Sequence, residues 1–519
     1  MLRTVFCLAI AHLGLGALRA QPAIEWQRTF GGTLDDTGAS IAQTTDGGYI
    51  LCGTTYSNNG NVSGNHGQGD IWVVKIDATG NLQWQRCLGG SQPDIGRNVL
   101  PLADGGYLVL GSTRSNDGDA SGNHGMVDIW LVRLSAAGVP VSQRCYGGSL
   151  NDVPFGIRPT PDGGYIIAGE SRSSDGDLTS NAGSTDYWVL KIGADQEIQW
   201  QRSYGGSSGD TAYAIELTTD GGYIMNGKSA SNDGDVAGAP PFGSGSDNYW
   251  VVKLDELGNI QWQRPCGGSG TDLGFSVAQR IDGKYVAFGQ SGSSDGDVTD
   301  PTGALDFWMI VLSESGVPVS AHSWGGSNDD GGAGLLNMQL GGLLLSGGSE
   351  SNDGDVQVNF GGFDGWLVRT NDDGTIAWQL VLGGSNDDAL GAMARTSDGG
   401  FVILGNSRSA DGGVPSNQGG SDVWMVKLGS DQVGISDIRL ANAPIIYPNP
   451  CHEQLIIAPA IQGKGPYRWR IIDHLGAVIS SGTLINVLAP LPTGQLASGH
   501  YLLQFESEER FFTVPFVKE

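Results

Sequence analysis

The sequence has little positive charge. Lys and Arg number 28 against 55 Asp and Glu, for a formal net charge of −27. That balance argues against nucleic acid as a partner, because phosphate would be repelled. Cysteine is scarce, with six residues in 519 and no CxxC pair, so nothing has the spacing of a zinc site. An oxidising compartment would permit disulfides among Cys52, Cys87, Cys145, Cys266 and Cys451, but their spacing does not demand them. They read as small buried hydrophobes. Beyond the first residues no run approaches 18 apolar residues, and no 3.6-residue helical period is visible. HExxH does not occur, and the seven His include only two at equivalent loop positions, His66 and His124, which read as solvated. No catalytic constellation is present, and no catalytic residue is assigned.

What is abundant is glycine, with 85 residues, and aspartate, with 43 of the 55 acids. Asp favours turns because its short carboxylate bonds nearby backbone N–H groups. The opening residues "MLRTVFCLAIAHLGLGALRA" (1–20) read as a secretory signal peptide. Arg3 gives the positive start, Val5 to Leu18 the apolar core, and Ala20 the cleavage point.

An internal repeat organises residues 21–429. A Gly-Gly pair begins at 31, 89, 147, 205, 267, 325 and 383, and a Trp falls at 72, 130, 188, 250, 308, 366 and 424. The period is 58 residues except for one step of 62, where the loop "VAGAPPFGSGSDNYW" (236–250) is longer. Each repeat holds four strand-like pieces, in the first "ASIAQTT", "YILCGTTYS", "DIWVVKID" and "NLQWQRCL". These are β-rich runs bounded by turn signals, with "DGG" and "ATG" as tight hairpins. Seven such units predict an all-β fold, a seven-bladed β-propeller of four-stranded blades. The array opens on a lone fourth strand, "IEWQRTF" (24–30), and stops on a third strand, "DVWMVKL" (422–428). The N-terminal strand is therefore expected to complete the last blade and close the ring, removing a free edge.

The repeat pattern ends at a linker, 430–444, and residues 445–519 alternate apolar and polar in short strands, the pattern of a small C-terminal β-sandwich. The ordered pieces "YPNP" (447–450), "IIDHLGAVI" (471–479), "LPTGQLASGHYLLQF" (491–505) and "FVK" (516–518) resemble the type A C-terminal sorting domain of the type IX secretion system of Bacteroidota. The matching motif residues are Tyr447, Pro448, Asn449, Pro450, Gly476, Gly499, Tyr501 and Lys518. The resemblance implies passage through the periplasm, handling by the translocon and its sortase, and a secreted or cell-surface destination, including attachment to outer-membrane lipopolysaccharide. The final Glu519 departs from the usual basic ending. The repeat half is similar to chains labelled endoglucanase-like, a label the residues themselves do not support.

Strand order places the second-to-third and fourth-to-first loops on one face, which is the expected working face. Two acidic sets meet there. One is the Asp four residues after each second glycine: Asp36, Asp94, Asp152, Asp210, Asp272, Asp330 and Asp388. The other is the Asp-Gly-Asp loop with an Asp returning two residues before the Trp. Two readings stay open for this loop set. The carboxylates cap backbone N–H groups, or they bind Ca²⁺, which wants six to eight oxygens. The calcium reading would use Asp117, Asp119 and Asp128; Asp175, Asp177 and Asp186; Asp295, Asp297 and Asp306; and Asp353, Asp355 and Asp364.

A single ligand must break sevenfold symmetry. The position after the second-strand Gly does so: Thr54, Ser112, Glu170, Lys228, Gln290, Gly348 and Asn406. Glu170, Lys228, Gln290 and Asn406 are the expected ligand contacts, although Glu170 and Lys228 on neighbouring blades would equally suit a structural ion pair. The leading functional expectation is a non-catalytic glycan- or protein-binding module. The alternatives are a glycan-degrading enzyme in the central funnel and a spacer without ligand.

Overall fold

The computed structural model describes residues 21–238, 246–338, 341–431, 446–447, 451–457, 467–472, 478–484, 491–506 and 511–518. The expected signal peptide and most of the expected linker lie outside them. The chain divides into two compact units, one holding Gln21–Ser430 and the other Asp431–Glu519. No helix occurs among the described residues.

In the larger unit the described strands form seven four-stranded antiparallel sheets. They are numbered here in chain order of their first strands. Sheet one comprises Asp36–Gln43, Tyr49–Thr55, Asp70–Ile76 and Leu82–Leu88. The first strands of sheets two to seven begin at Asp94, Asp152, Asp210, Asp272, Asp330 and Asp388. Sheet seven takes its fourth strand from the chain start. Ile24–Phe30 pairs antiparallel with Asp422–Leu428, Thr29 opposite Trp424.

The two middle strands of each sheet are buried on both faces because sheets stack against each other. "YILCGTT" (49–55) and "DIWVVKI" (70–76) are buried at every position. Each core is built by two sheets. Val73 and Leu88 of sheet one pack with Val109 and Trp130 of sheet two. The same sharing joins two to three, three to four, four to five, five to six and six to seven. Sheet one shares a further core with sheet seven, where Tyr49 and Trp72 meet Val402 and Met425. The Trp of every repeat is fully buried. Removing about 150–250 Å² of each ring from water contributes roughly 4–6 kcal/mol.

The first strand of each sheet is bulged. Register slips between Gly38 and Ser40, Gly96 and Asn98, Pro154 and Gly156, Ala212 and Ala214, Gly274 and Ser276, Gly332 and Gly334, and Leu390 and Met393. A bulge leaves a residue out of the ladder and re-aims its side chain. That irregularity positions the site.

In the smaller unit a three-stranded and a four-stranded sheet share one core. Leu455 and Leu491 from the first meet Trp469, Ile471, Leu503 and Phe516 from the second. Of the sorting-motif residues, Tyr447 lies in the strand Ile446–Tyr447, and Gly499 pairs with Lys518. Tyr501 stacks on Phe516 at 5.6 Å and donates its hydroxyl to the Ala497 carbonyl at 2.9 Å. Pro448, Asn449, Pro450 and Gly476 lie outside the described residues. All five described cysteines are buried and unpaired.

Candidate functional site

The loop face is held together by carboxylates. Asp94 is fully buried, and its Oδ2 accepts from Gly90 N and from the Ser115 hydroxyl, both at 2.8 Å. Its equivalents at Asp36, Asp152, Asp210, Asp272, Asp330 and Asp388 accept from the matching glycine N–H in the same way.

The Asp-Gly-Asp loops fold onto the same turn. Asp117 Oδ1 accepts from Ser91 N at 2.8 Å, Asp175 from Ser149 N at 2.8 Å, Asp295 from Ser269 N at 2.6 Å and Asp353 from Ser327 N at 2.7 Å. The Ser91 and Ser149 N–H groups hold the Asp117 and Asp175 carboxyls below the usual range. Asp177, Asp297 and Asp355 accept from Gly147, Gly267 and Gly325 N–H at 3.1, 3.4 and 3.3 Å, while Asp119 N donates to the Gly89 carbonyl at 2.9 Å. The middle residue must be glycine: Gly118 has φ +63, and a Cβ there would lie 2.4 Å from the Gly89 carbonyl oxygen.

The returning carboxylates close the loop. Asp128 accepts from His124 N at 2.8 Å, Asp186 from Ala182 N at 2.5 Å, Asp306 from Thr302 N at 2.7 Å and Asp364 from Phe360 N at 2.5 Å. His66 and His124 are not simply solvated. Each is partly exposed and sets Nδ1 2.6 Å from Asp70 or Asp128. In sheet one Asn59 and Asn61 stand where other loops have Asp, and accept from Thr33 N and Gly31 N at 2.9 and 3.2 Å. An amide oxygen therefore does the capping work. Among the described residues no three His, Cys, Asp or Glu gather as a metal-ligand group.

The second oxygen of the returning carboxylate is buried without a hydrogen-bond partner in Asp70, Asp128, Asp186, Asp364 and Asp422. It faces the next repeat. A Cβ on Gly89 would lie 2.7 Å from Asp70 Oδ1 and 2.6 Å from Asp94 Oδ2, so only glycine fits between the two carboxylates.

The second-strand column bridges each sheet to the next. Thr54 Oγ1 accepts from Gly96 N at 3.1 Å, and Asn406 Oδ1 from Gly38 N at 2.7 Å. These two satisfy N–H groups at the bulges. Glu170 accepts the Thr211 hydroxyl at 2.5 Å, and Lys228 pairs with Asp247 at 2.9 Å, not with Glu170. Gln290 packs against the sheet six first strand, where a Cβ on Gly331 would lie 3.0 Å from its Oε1.

The residues skipped by the bulges break the symmetry most sharply. They are Ala39, Arg97, Phe155, Tyr213, Phe275, Ala333 and, in sheet seven, Gly391 with Ala392. Four successive sheets carry large side chains that meet in a row. Arg97 lies 4.8 Å over the Phe155 ring, Phe155 meets Tyr213 edge-on at 5.0 Å, and Tyr213 meets Phe275 at 5.1 Å. All four are partly exposed. The other three sheets present only small residues. Burial raises the Tyr213 hydroxyl, Lys228 lowers it and Glu170 raises it, so the charged residues of the second-strand column share its surroundings. Burial lowers the Arg97 guanidinium, with Glu170 opposing. Sequence reasoning missed this row because it sought the asymmetry on the second strand and not at the bulge of the first. The signal was the column three residues after each first-strand Asp, which is large in four successive repeats and small in the other three.

A cavity of about 570 Å³ opens at the loops of sheets six, seven and one, lined by Asp35, Asp387, Arg408 and Asn386. Its carboxylates are engaged by backbone: Asp35 accepts from Ser421 N at 2.8 Å and Asp387 from Phe363 N at 3.3 Å.

Residues 445–519 match the family described as the secretion system C-terminal sorting domain. The domain marks a protein handled by the type IX secretion system and either secreted or displayed at the cell surface. Among curated proteins the chain is similar to the regulatory protein FlaEY of Caulobacter vibrioides, 24% identical over 267 residues. That match covers 47% of this chain and 28% of FlaEY, so the chain spans less than a third of that relative's length. Among solved structures it is similar to a puromycin hydrolase (14% identity, TM-score 0.38, 75% of this chain and 52% of the other). It is also similar to the PQQ-bound aldose sugar dehydrogenase of Streptomyces coelicolor (12% identity, TM-score 0.33, 79% and 100%). At these scores the likenesses carry no argument about activity.

Proposed function

We propose that the seven sheets close into a seven-bladed β-propeller that binds a glycan without cleaving it and is delivered to the cell exterior by its sorting domain. The unbroken series of shared cores, ending with the one between sheets seven and one, supports closure. Attachment to lipopolysaccharide after sortase cleavage belongs to the same reading.

The observation that carries ligand binding is the row Arg97–Phe155–Tyr213–Phe275 on four successive first strands, where the other three carry only small residues. Binding sites for small molecules combine aromatic surface with a few placed polar groups. Here Glu170, Lys228 and Arg97 supply the polar groups, and the partly exposed rings offer flat apolar faces to the C–H side of a sugar. Asn406, engaged at Gly38, is a scaffold residue in this reading.

A screen of immobilised polysaccharides, measuring both retention and release of reducing sugar, tests the function. Retention without release is expected. Tyr213→Ala is expected to lower retention while the protein stays folded, and equal retention would remove the assignment. A chain ending at Gly429 is expected to keep the binding and stay in the periplasm.

A further inference from the structure

Arg97 is the one cation of the row, and it stands alone. Its Nε is buried without a hydrogen-bond partner, and the guanidinium forms no ion pair or hydrogen bond among the described residues. Glu170, an acid on the adjacent sheet, is turned to the Thr211 hydroxyl. A guanidinium has five donors and cannot be neutralised by losing a proton. Leaving a half-buried one without an acceptor is costly. The guanidinium sits 4.8 Å over the Phe155 ring, and its planar fork of donors suits it to a two-pronged contact with an anion.

A second observation points the same way. Directly after the second strand come Tyr56, Arg114, Arg172, Ala230, Gly292, Glu350 and Arg408 in the seven sheets. Arg114 and Arg172 are exposed, form no ion pair among the described residues, and sit on sheets two and three, which also present Arg97 and Phe155. Their backbone N–H groups bond to the Pro93 and Asn151 carbonyls, just before the first strands begin. Those neighbours are uncharged, whereas sheet six has Glu350 beside Asp329. Arg97 lies four residues beyond Pro93, about 13 Å along the strand. Arg114 and Arg172 thus add two exposed cations at the loop end of the sheets that carry Arg97 and Phe155, on a chain whose net charge is −27.

We propose that the glycan is anionic, its carboxylate or sulfate group held by Arg97, with Arg114 and Arg172 drawing the chain in at the rim. This rests on the glycan-binding reading above. The aromatic faces take the sugar rings, and the guanidinium replaces its missing acceptor with the ligand's oxygens. A protein of such negative charge repels polyanions in general, so retention by one requires a specific positive site.

Affinity electrophoresis of the full chain through gels holding dextran, polygalacturonate or dextran sulfate tests this. Retention by a charged polymer, weakened by added salt, and weaker retention by neutral dextran are expected. The two charged polymers separate a carboxylate preference from a sulfate preference. Arg97→Met, which removes the guanidinium and keeps an unbranched apolar side chain, is expected to lower retention about tenfold. Arg114→Gln with Arg172→Gln, at exposed positions, is expected to lower it several-fold and carries the test if Arg97→Met fails to fold. Equal retention by neutral and charged polymers, or wild-type retention of the variants, overturns the anionic ligand and leaves glycan binding standing. Retention by none of the polymers overturns both.

Discussion

The indole N–H of Trp424 donates to Gln27 Oε1 at 3.0 Å, across 397 residues of chain. The same bond joins Trp72 to Gln85, Trp130 to Gln143, Trp188 to Gln201, Trp250 to Gln263 and Trp366 to Gln379. In five sheets both partners belong to one repeat. In sheet seven the chain start supplies the glutamine.

Deleting residues 21–31 would leave Trp424 without its acceptor and Asp422–Leu428 as a free edge. Lower thermal stability and aggregation are expected, since an unpaired strand is a template for other chains. Melting and light scattering of the truncated protein check this. A melt like that of the intact chain would contradict the role given to the first strand.

Sheet five lacks the bond. Trp308 Nε1 is buried without a partner, and Ala321 stands where the other sheets have glutamine. Thr299, placed to meet a glutamine amide, donates to the Ala321 carbonyl at 3.2 Å instead. Ala321→Gln is expected to stabilise the protein by about 1 kcal/mol, because it satisfies a buried donor. A higher denaturant midpoint reads the gain.

Stability is expected to rise on mild acidification. Burial raises the Asp422 carboxyl to about 6, against the Gln418 N–H and with the Asp36 charge adding to the rise. Burial likewise raises Asp364 and Asp186 to about 6, with Asp388 and Asp210 as the charged neighbours. Between about pH 4 and 6 the folded chain holds more protons at these groups than the unfolded chain, so stability falls as pH rises through that window. At lower pH the trend reverses, because Lys191 holds Asp162 at about 2 and that contribution is lost as Asp162 protonates. The melting temperature should therefore be higher near pH 5 than at pH 7.5. Asp422→Asn, which mimics Asn248 of sheet four, should flatten the slope only in part, because burial also raises Asp70, Asp94, Asp128 and Asp152. A pH-independent melt between 5 and 7.5 would refute the assignment.

The loops give the last expectation. If capping is the work of the Asp-Gly-Asp carboxylates, Asp117→Asn with Asp119→Asn should melt like the wild type, as Asn59 and Asn61 already serve sheet one. Asp117→Ala should cost about 1 kcal/mol, because the Ser91 N–H loses its acceptor. Chelator should leave the melt unchanged. A fall with chelator that the Asn pair weakens by about one loop's share would instead establish calcium at these loops.

Much of the architecture was legible in the sequence, because strand alternation and turn chemistry are local. The 58-residue period, the buried Trp and the hairpin signals mark four strands per repeat without any knowledge of packing. The Asp-Gly-Asp motif is legible for the same reason: Gly118 must adopt a positive φ, and Asp117 reaches a turn within its own repeat. The site was not legible. Arg97, Phe155, Tyr213 and Phe275 stand 58 to 62 residues apart in ordinary strand sequence. A bulge turns each out of its ladder, and only the stacking of neighbouring sheets brings them into one row. Lys228 likewise looked like a partner for Glu170 until the loop of its own sheet brought Asp247 closer. Sequence determines what lies within one repeat, where backbone geometry sets the distances. Contacts between repeats depend on how the sheets pack, and that is decided only in the folded molecule.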